Sequence, residues 1–469
     1  MRRLFRALIV VCALSLAAGC SQAATVAPSA TPLPIVVPST GFDKLIPAAQ
    51  TFIGQLAKGD FAGATSRFDD TMKGAAPAGT LQQIWQQLIS QFGAFKQQAG
   101  TRTNETAGYR NVFVTCEFAN MTVELQVTFN TLDQISGFHI VTPSTNATSV
   151  PYSPPPYVNT GLFHEADVTV GSGQWALPGT LTEPNGSGPF PAVVLVHGSG
   201  PNDRDETIGP SKPFRDLAWG LASQGVAVLR YDKRTYAHKD LFTPDILAKL
   251  TTKEETTDDA LSAVQLLRQT AGIDTKRIFV LGHSLGAMLA PRIGQQEPAL
   301  GGLIIMAGPT RPFEDVILDQ YTYLYSLNGG PTSAQVGMLA VLKAEVAAVK
   351  DPNLSTSTPA SDLPLGIYPV YWLDLRGYRP AEVAKSLSIP LLVLQGGRDY
   401  QVSAAKDFPG WQAALAGKAN ATLKLYPALN HLFITGNGPS TPTEYTTPGH
   451  VSPEVVSDIS QWVLKAPAK

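Results

Sequence analysis

The sequence predicts an α/β fold carrying a mostly parallel, doubly wound sheet, preceded by a small α+β domain. Two observations carry this. Beyond Gly161, six short apolar runs, "PAVVLVHG", "VAVLRYD", "RIFVLG", "GLIIMAG", "PLLVLQG" and "ATLKLYP", alternate with helical stretches such as "FRDLAWGLASQ" and "TTDDALSAVQLLRQT". Runs this apolar have to be buried on both faces, the mark of a parallel sheet between two helical layers. Before Gly161, two stretches rich in Pro, Ser and Thr, "AATVAPSATPLPIVVPSTG" and "TPSTNATSVPYSPPPYVNTG", bracket about a hundred residues of different pattern.

The 469 residues exceed what one core usually holds, so more than one domain is expected. With 44% hydrophobic and 15% charged residues and a net charge of -2, the chain reads as globular. That charge gives no electrostatic support for a nucleic acid as partner.

In chain order, Arg2, Arg3 and Arg6 precede an apolar run from Ala7 to Ala18. Residues 1–20 read as an export signal, too short for a stable membrane span. "LSLAAGC" resembles a bacterial lipobox, which implies a diacylated Cys20 as first mature residue and a membrane as partner. Ala17 stands where such boxes usually have Leu, and the alternative is plain secretion by cleavage near "SQAA". Residues 21–42 then form a Pro-rich tether. Cys12 leaves with the signal and Cys20 would be lipidated, so Cys116 has no partner in the mature chain and no intramolecular disulfide is expected. The seven histidines show no H-x-x-x-H pair and there is no C-x-x-C, so no metal is expected.

Residues 43–142 form the small domain. Ile46, Phe52, Ile53 and Leu56 follow helical spacing, as do Leu81, Ile84, Trp85, Leu88 and Ile89. The strands "YRNVFVTCEFA" and "MTVELQVTFN" follow. This region resembles a domain of unknown function, of NTF2-like or cystatin-like shape, that often precedes bacterial hydrolases. It carries no convergent reactive residues. Cys116 alternates with Val114 and Phe118 on a strand and reads as a buried structural thiol. A Pro-rich linker, 143–160, leads into the third region, 161–469.

There, "RIFVLGHSLGAMLA" sets Ser284 in a G-x-S-x-G frame where an apolar run gives way to a helical one. The frame alone is weak. At a strand-to-helix junction it becomes a nucleophile elbow, whose sharp turn leaves no room for a Cβ at Gly282 or Gly286. A serine nucleophile needs a base, and the base an orienting acid. Asp399 follows "PLLVLQG" and His431 follows "ATLKLYP", each beyond the carboxyl end of a predicted strand. Asp374 and Asp407 are the rival acids, both read as helical; His450 is the rival base, read as preceding a helix start at Ser452. His283, beside the nucleophile, is read as packing.

Four stretches, "HGSG", "GHSLG", "GGRDYQV" and "NHLF", carry a resemblance to the α/β-hydrolases, close to bacterial esterases and to serine-aminopeptidase-like and lysophospholipase-like hydrolases. It covers Gly161 to Lys469. The family implies a Ser-His-Asp triad, transferred only to Ser284, His431 and Asp399, and no cofactor. The fold implies an oxyanion hole from the amides of Ser199, in "HGSG", and Leu285. His197 reads as shaping that turn. Asp203, Arg204 and Asp205 read either as an ion pair ordering the loop or as a solvated run. Some eighty residues between "IIMAG" and "IPLLV" exceed what a βα unit needs, which places a cap at about 311–385. Its Tyr321, Tyr323, Tyr325, Tyr368, Tyr371 and Trp372 suit an apolar acyl pocket, though most would simply pack cap to core.

The expectation is an exported, lipid-anchored serine hydrolase of carboxylic esters, with a small-molecule ester or acyl substrate. A peptidase or amidase of the same fold, or a catalytically silent surface binding protein, are the alternatives.

Overall fold

The computed structural model describes residues 41–106, 109–119, 122–141 and 152–466. The expected signal, Cys20 and most of the tether lie outside them, as does linker residue Pro151 with 143–150. The chain divides into two compact units with the boundary between Ser149 and Val150. Among the described residues no helix is long and apolar enough to cross a membrane.

The first unit places helices before a meander. Helices Leu45–Lys58 and Ala78–Phe92 precede β1 (Phe95–Thr106), β2 (Tyr109–Phe118), β3 (Thr122–Phe129) and β4 (Ile135–Val141), paired antiparallel in that order. Alternate residues Val112, Val114 and Cys116 of β2, and Val123, Leu125 and Val127 of β3, pack against Phe52, Ile53, Leu56, Leu81 and Trp85. Period-two burial on strands meets a helical stripe, as the sequence spacing requires. Ile89 departs from that stripe and is 37% exposed. Burial pushes the Cys116 thiol up to about 12, which leaves it protonated and unreactive.

The second unit is an eight-stranded sheet in the order β12-β11-β10-β9-β7-β8-β6-β5. From β7 (Phe190–Val196) onward the strands are parallel: β8 (Ala227–Tyr231), β9 (Ile273–His283), β10 (Gly302–Met306), β11 (Leu391–Gly396) and β12 (Ala421–Tyr426). β5 (Phe163–Val170) and β6 (Leu177–Pro184) add an antiparallel edge. Successive residues of the central strands feed two separate cores. Val194, Val280 and Ile305 face one layer with helices Asp258–Gln269 and Leu285–Gln296; Val193, Leu195, Leu281 and Ile304 face the other with Pro213–Ala222 and Pro453–Lys465. The doubly wound sheet follows from this two-faced burial. One run is less buried than its composition implied. "ATLKLYP" forms the edge strand β12, and Leu425 there is 42% exposed because it has a neighbour on one side only.

Helices Phe313–Ser326, Ser333–Lys350, Pro369–Leu375 and Pro380–Ser386 lie between β10 and β11. Leu342, Val346, Trp372 and Phe313 pack there with Leu285, Met288 and Leu289 of the helix after Ser284. Tyr371 and Trp372 are buried in this core, so they serve packing. The end of the Pro-rich linker is docked on the second unit. The Tyr152 hydroxyl donates to Asp216 Oδ1 at 2.6 Å, and that of Tyr157 to the Val451 carbonyl at 2.8 Å.

Candidate active site

The chain crosses from β7 to β8 on one side and to β9 on the other, so the loops after β7 and β9 meet at a switch in strand order, where open α/β sheets hold their sites. Ser284 falls between the end of β9 and the start of helix Leu285–Gln296, with φ 54° and ψ -115°. A positive φ on a non-glycine residue is strained, and such strain concentrates at functional positions. Its N–H donates to the Met306 carbonyl at 2.9 Å, which pins the turn to β10. A Cβ at Gly282 would strike the Gly286 carbonyl, and one at Gly286 the carbonyls of Val196 and His197. Both glycines are therefore needed by close backbone approach.

Asp399 and His431 come together. His431 Nδ1 donates to Asp399 Oδ2 at 2.8 Å, and both residues are buried. Asp399 is held on three further sides: Oδ1 accepts from the N–H groups of Gln401 (2.8 Å) and Val402 (2.9 Å), and Oδ2 from Gln395 Nε2 (3.1 Å). The Asn430 Oδ1 accepts from the N–H groups of Leu432 and Ile434 and so fixes the tight turn around His431. With Nδ1 donating to the carboxylate, Nε2 is left as the acceptor, the tautomer a general base needs.

The rival residues have other partners. Asp374, on helix Pro369–Leu375, pairs with Arg292 at 3.0 Å. Asp407, on helix Ala404–Ala414, pairs with Arg311 at 2.8 Å. His450 Nδ1 contacts Asp216 Oδ1 at 3.0 Å.

Among the described residues, the amides of Ser199 and Leu285 have no hydrogen-bond acceptor. Ser199 is exposed, while Gly198 lies so close to the elbow that a Cβ on it would be 3.2 Å from Ser284 Cβ. His197 is buried, with Nε2 2.6 Å from the Tyr231 carbonyl and its ring stacked on Phe214. Asp203, Arg204 and Asp205 are an ordered set. Asp203 accepts from the Thr207 N–H and hydroxyl, Arg204 pairs with Asp232 at 3.0 Å, and buried Asp205 pairs with Arg230, Lys212 and Arg215. The solvated-run reading is excluded by that burial.

Two neighbours of the site, Glu206 and Lys233, carry no sequence motif of their own, and a third, His283, has a larger part than the packing expected of it. Glu206 is 2% exposed; its Oε1 accepts from the Gly198 N–H at 2.7 Å and its Oε2 lies 2.9 Å from His283 Nδ1. His283 does more than pack, since its Nε2 donates to the His431 carbonyl at 3.0 Å and its ring sits 4.7 Å from that of His431. Lys233, two residues beyond β8, reaches the Gly198 carbonyl. The signal for Lys233 was its place, at the same carboxyl edge as the other candidates. Nothing in the sequence distinguished Glu206 from the charges beside it. Among the described residues no three His, Cys, Asp or Glu side chains gather to hold a metal ion.

Comparison with known proteins agrees with this architecture. The alpha/beta hydrolase family matches residues 193–444, and a family described as a protein of unknown function (DUF3887) matches residues 49–138. The chain is 40% identical over 414 residues to Esterase EstD of Thermotoga maritima, spanning 88% of this chain and 94% of that one. Among solved structures, the Pyrococcus horikoshii acylaminoacyl peptidase aligns at 12% identity over 80% of this chain and 57% of its own, with a TM-score of 0.43. Est1E from Butyrivibrio proteoclasticus aligns at 16% identity over 65% and 99%, with a TM-score of 0.41. On a family match across most of the second unit and this identity along nearly the full chain, the protein belongs to the alpha/beta hydrolase family.

Proposed function

We propose that the protein hydrolyses carboxylic esters of small molecules through an acyl-enzyme formed on Ser284. The observation that carries this reading is the buried 2.8 Å bond from His431 to Asp399, at the sheet edge that holds the strained Ser284 elbow. The 40% identity to an esterase supports an ester as substrate. His431 Nε2 takes the Ser284 hydroxyl proton as the oxygen attacks the acyl carbonyl. The tetrahedral oxyanion is met by the amides of Ser199 and Leu285, each worth about 3 kcal/mol. His431 then protonates the leaving alcohol, and water repeats the sequence to release the acid. Asp399 holds the imidazole tautomer and stabilises the imidazolium. No step calls on a cofactor.

Export and anchoring through Cys20 belong to the same proposal, supported by the basic, apolar and lipobox-like order of residues 1–20. A fluorophosphonate probe tests the chemistry. Covalent labelling of wild type, lost in Ser284→Ala, is expected; an unlabelled wild type would make the protein a silent binder. Graded acyl esters beside aminoacyl amides then separate esterase from amidase.

A further inference from the structure

Lys233 is 2% exposed, and its Nζ donates to the Gly198 carbonyl at 2.8 Å. Asn202 Nδ2 lies 3.4, 3.3 and 3.3 Å from the carbonyl oxygens of Gly198, Ser199 and Gly200. Three successive carbonyls of this loop thus turn towards Asn202 Nδ2, and the first of them also accepts from Lys233. The Gly198–Ser199 peptide is trans, so its C=O and N–H point in opposite directions. Holding the carbonyl on Lys233 therefore aims the Ser199 N–H at the other side. Glu206 fixes the preceding peptide through the Gly198 N–H.

An ammonium on a carbonyl also polarises the amide, and in a buried setting this strengthens its N–H as a donor. The ammonium is itself fixed. It lies 3.2 Å from Glu255 Oε1, and Glu255 Oε2 accepts from the Tyr371 hydroxyl at 2.7 Å.

We propose that Lys233 is a positioning residue for ester hydrolysis, whose ammonium orients and polarises the Gly198–Ser199 peptide so that the Ser199 N–H meets the oxyanion preorganised. The proposal rests on the reading of Ser284 as nucleophile and the Ser199 amide as oxyanion donor.

Removing either partner of the Lys233–Glu255 pair alone would leave the other a buried, unpaired charge and destabilise the fold for that reason. The test on the full chain therefore compares Lys233→Met combined with Glu255→Gln against wild type, both checked for an intact fold. It reads kcat, KM and the affinity for an alkylboronic acid, which forms a tetrahedral adduct on an active serine. Relative to wild type, the double variant is expected to lose about 10- to 100-fold in kcat and a similar factor in boronate affinity. That is less than the roughly 100- to 1,000-fold that removing an oxyanion donor outright costs. KM should stay within about threefold, because the effect belongs to the transition state. Equal kcat in the double variant and wild type, or a fall in kcat with boronate affinity unchanged, would overturn the proposal. Ser284→Ala on the same substrate separates the two readings. Retained turnover there sinks the nucleophile assignment, whereas a dead Ser284→Ala beside an unimpaired double variant sinks the role of Lys233 alone.

Discussion

Glu206 Oε2 and His283 Nδ1 lie 2.9 Å apart in a site where both side chains are almost fully buried. Neither atom has an aligned hydrogen bond, so the attraction between them is chiefly coulombic. The pair ties the "HGSG" loop, through the Gly198 N–H, to the His431 turn, through the His431 carbonyl.

This pair makes stability depend on pH. Burial alone would raise the Glu206 pKa, but the facing His283 brings it below the ordinary value of 4.5. Burial alone would lower that of His283, but Glu206 brings it above 6.5. The Glu206 contribution is present above 4.5 and lost as pH falls through its depressed folded pKa. The His283 contribution is complete below 6.5 and lost as pH rises through its raised folded pKa. Glu206→Gln should therefore cost about 3–5 kcal/mol between these values, where both charges are in place, and less towards either extreme. Thermal melts of both proteins from acid to alkaline pH measure the difference; a deficit independent of pH would show that Glu206 acts by packing.

The second unit should carry the chemistry by itself if it keeps its docked leader. A chain starting at Tyr152 retains the Tyr152 bond to Asp216 and the Tyr157 bond to Val451. It should fold and keep turnover on small esters. One starting at Val158 loses both bonds, at about 1 kcal/mol each, and should melt several degrees lower. Insoluble or inactive protein from the Tyr152 start would mean that the first unit completes the core.

For the anchor, Cys20→Ser should move the protein from the membrane fraction to the soluble extracytoplasmic one, because two acyl chains supply most of the bilayer affinity. Wild-type protein found only in the soluble fraction would contradict acylation.

How much of this was legible depended on whether a signal was local. Ser284, Asp399 and His431 each follow an apolar run, so strand-end position and motif together singled them out. β5 escaped because only its two ends are buried, and its place at the edge is secured by pairing with β6 instead of by a run of apolar residues. Lys233, Glu206 and His283 act through contacts among loops after β7, β8, β9 and β12. The "DRDE" charges look alike in sequence, and only the fold buries Glu206 against His283 while leaving Asp203 to a local turn.

If Ser284, His431 and Asp399 act as a unit, steady-state ester hydrolysis by folded variants will show it. Ser284→Ala and His431→Ala should each lower kcat by about a millionfold, with their combination little worse. Asp399→Asn should cost about ten-thousandfold, since its amide favours the wrong imidazole tautomer without removing the base. Asp374→Asn and His450→Ala, whose partners are Arg292 and Asp216, should stay within about tenfold of wild type. A near-normal Asp399→Asn beside a collapsed Asp374→Asn would contradict the assignment of the acid, and an active Ser284→Ala would show that Ser284 is not the nucleophile.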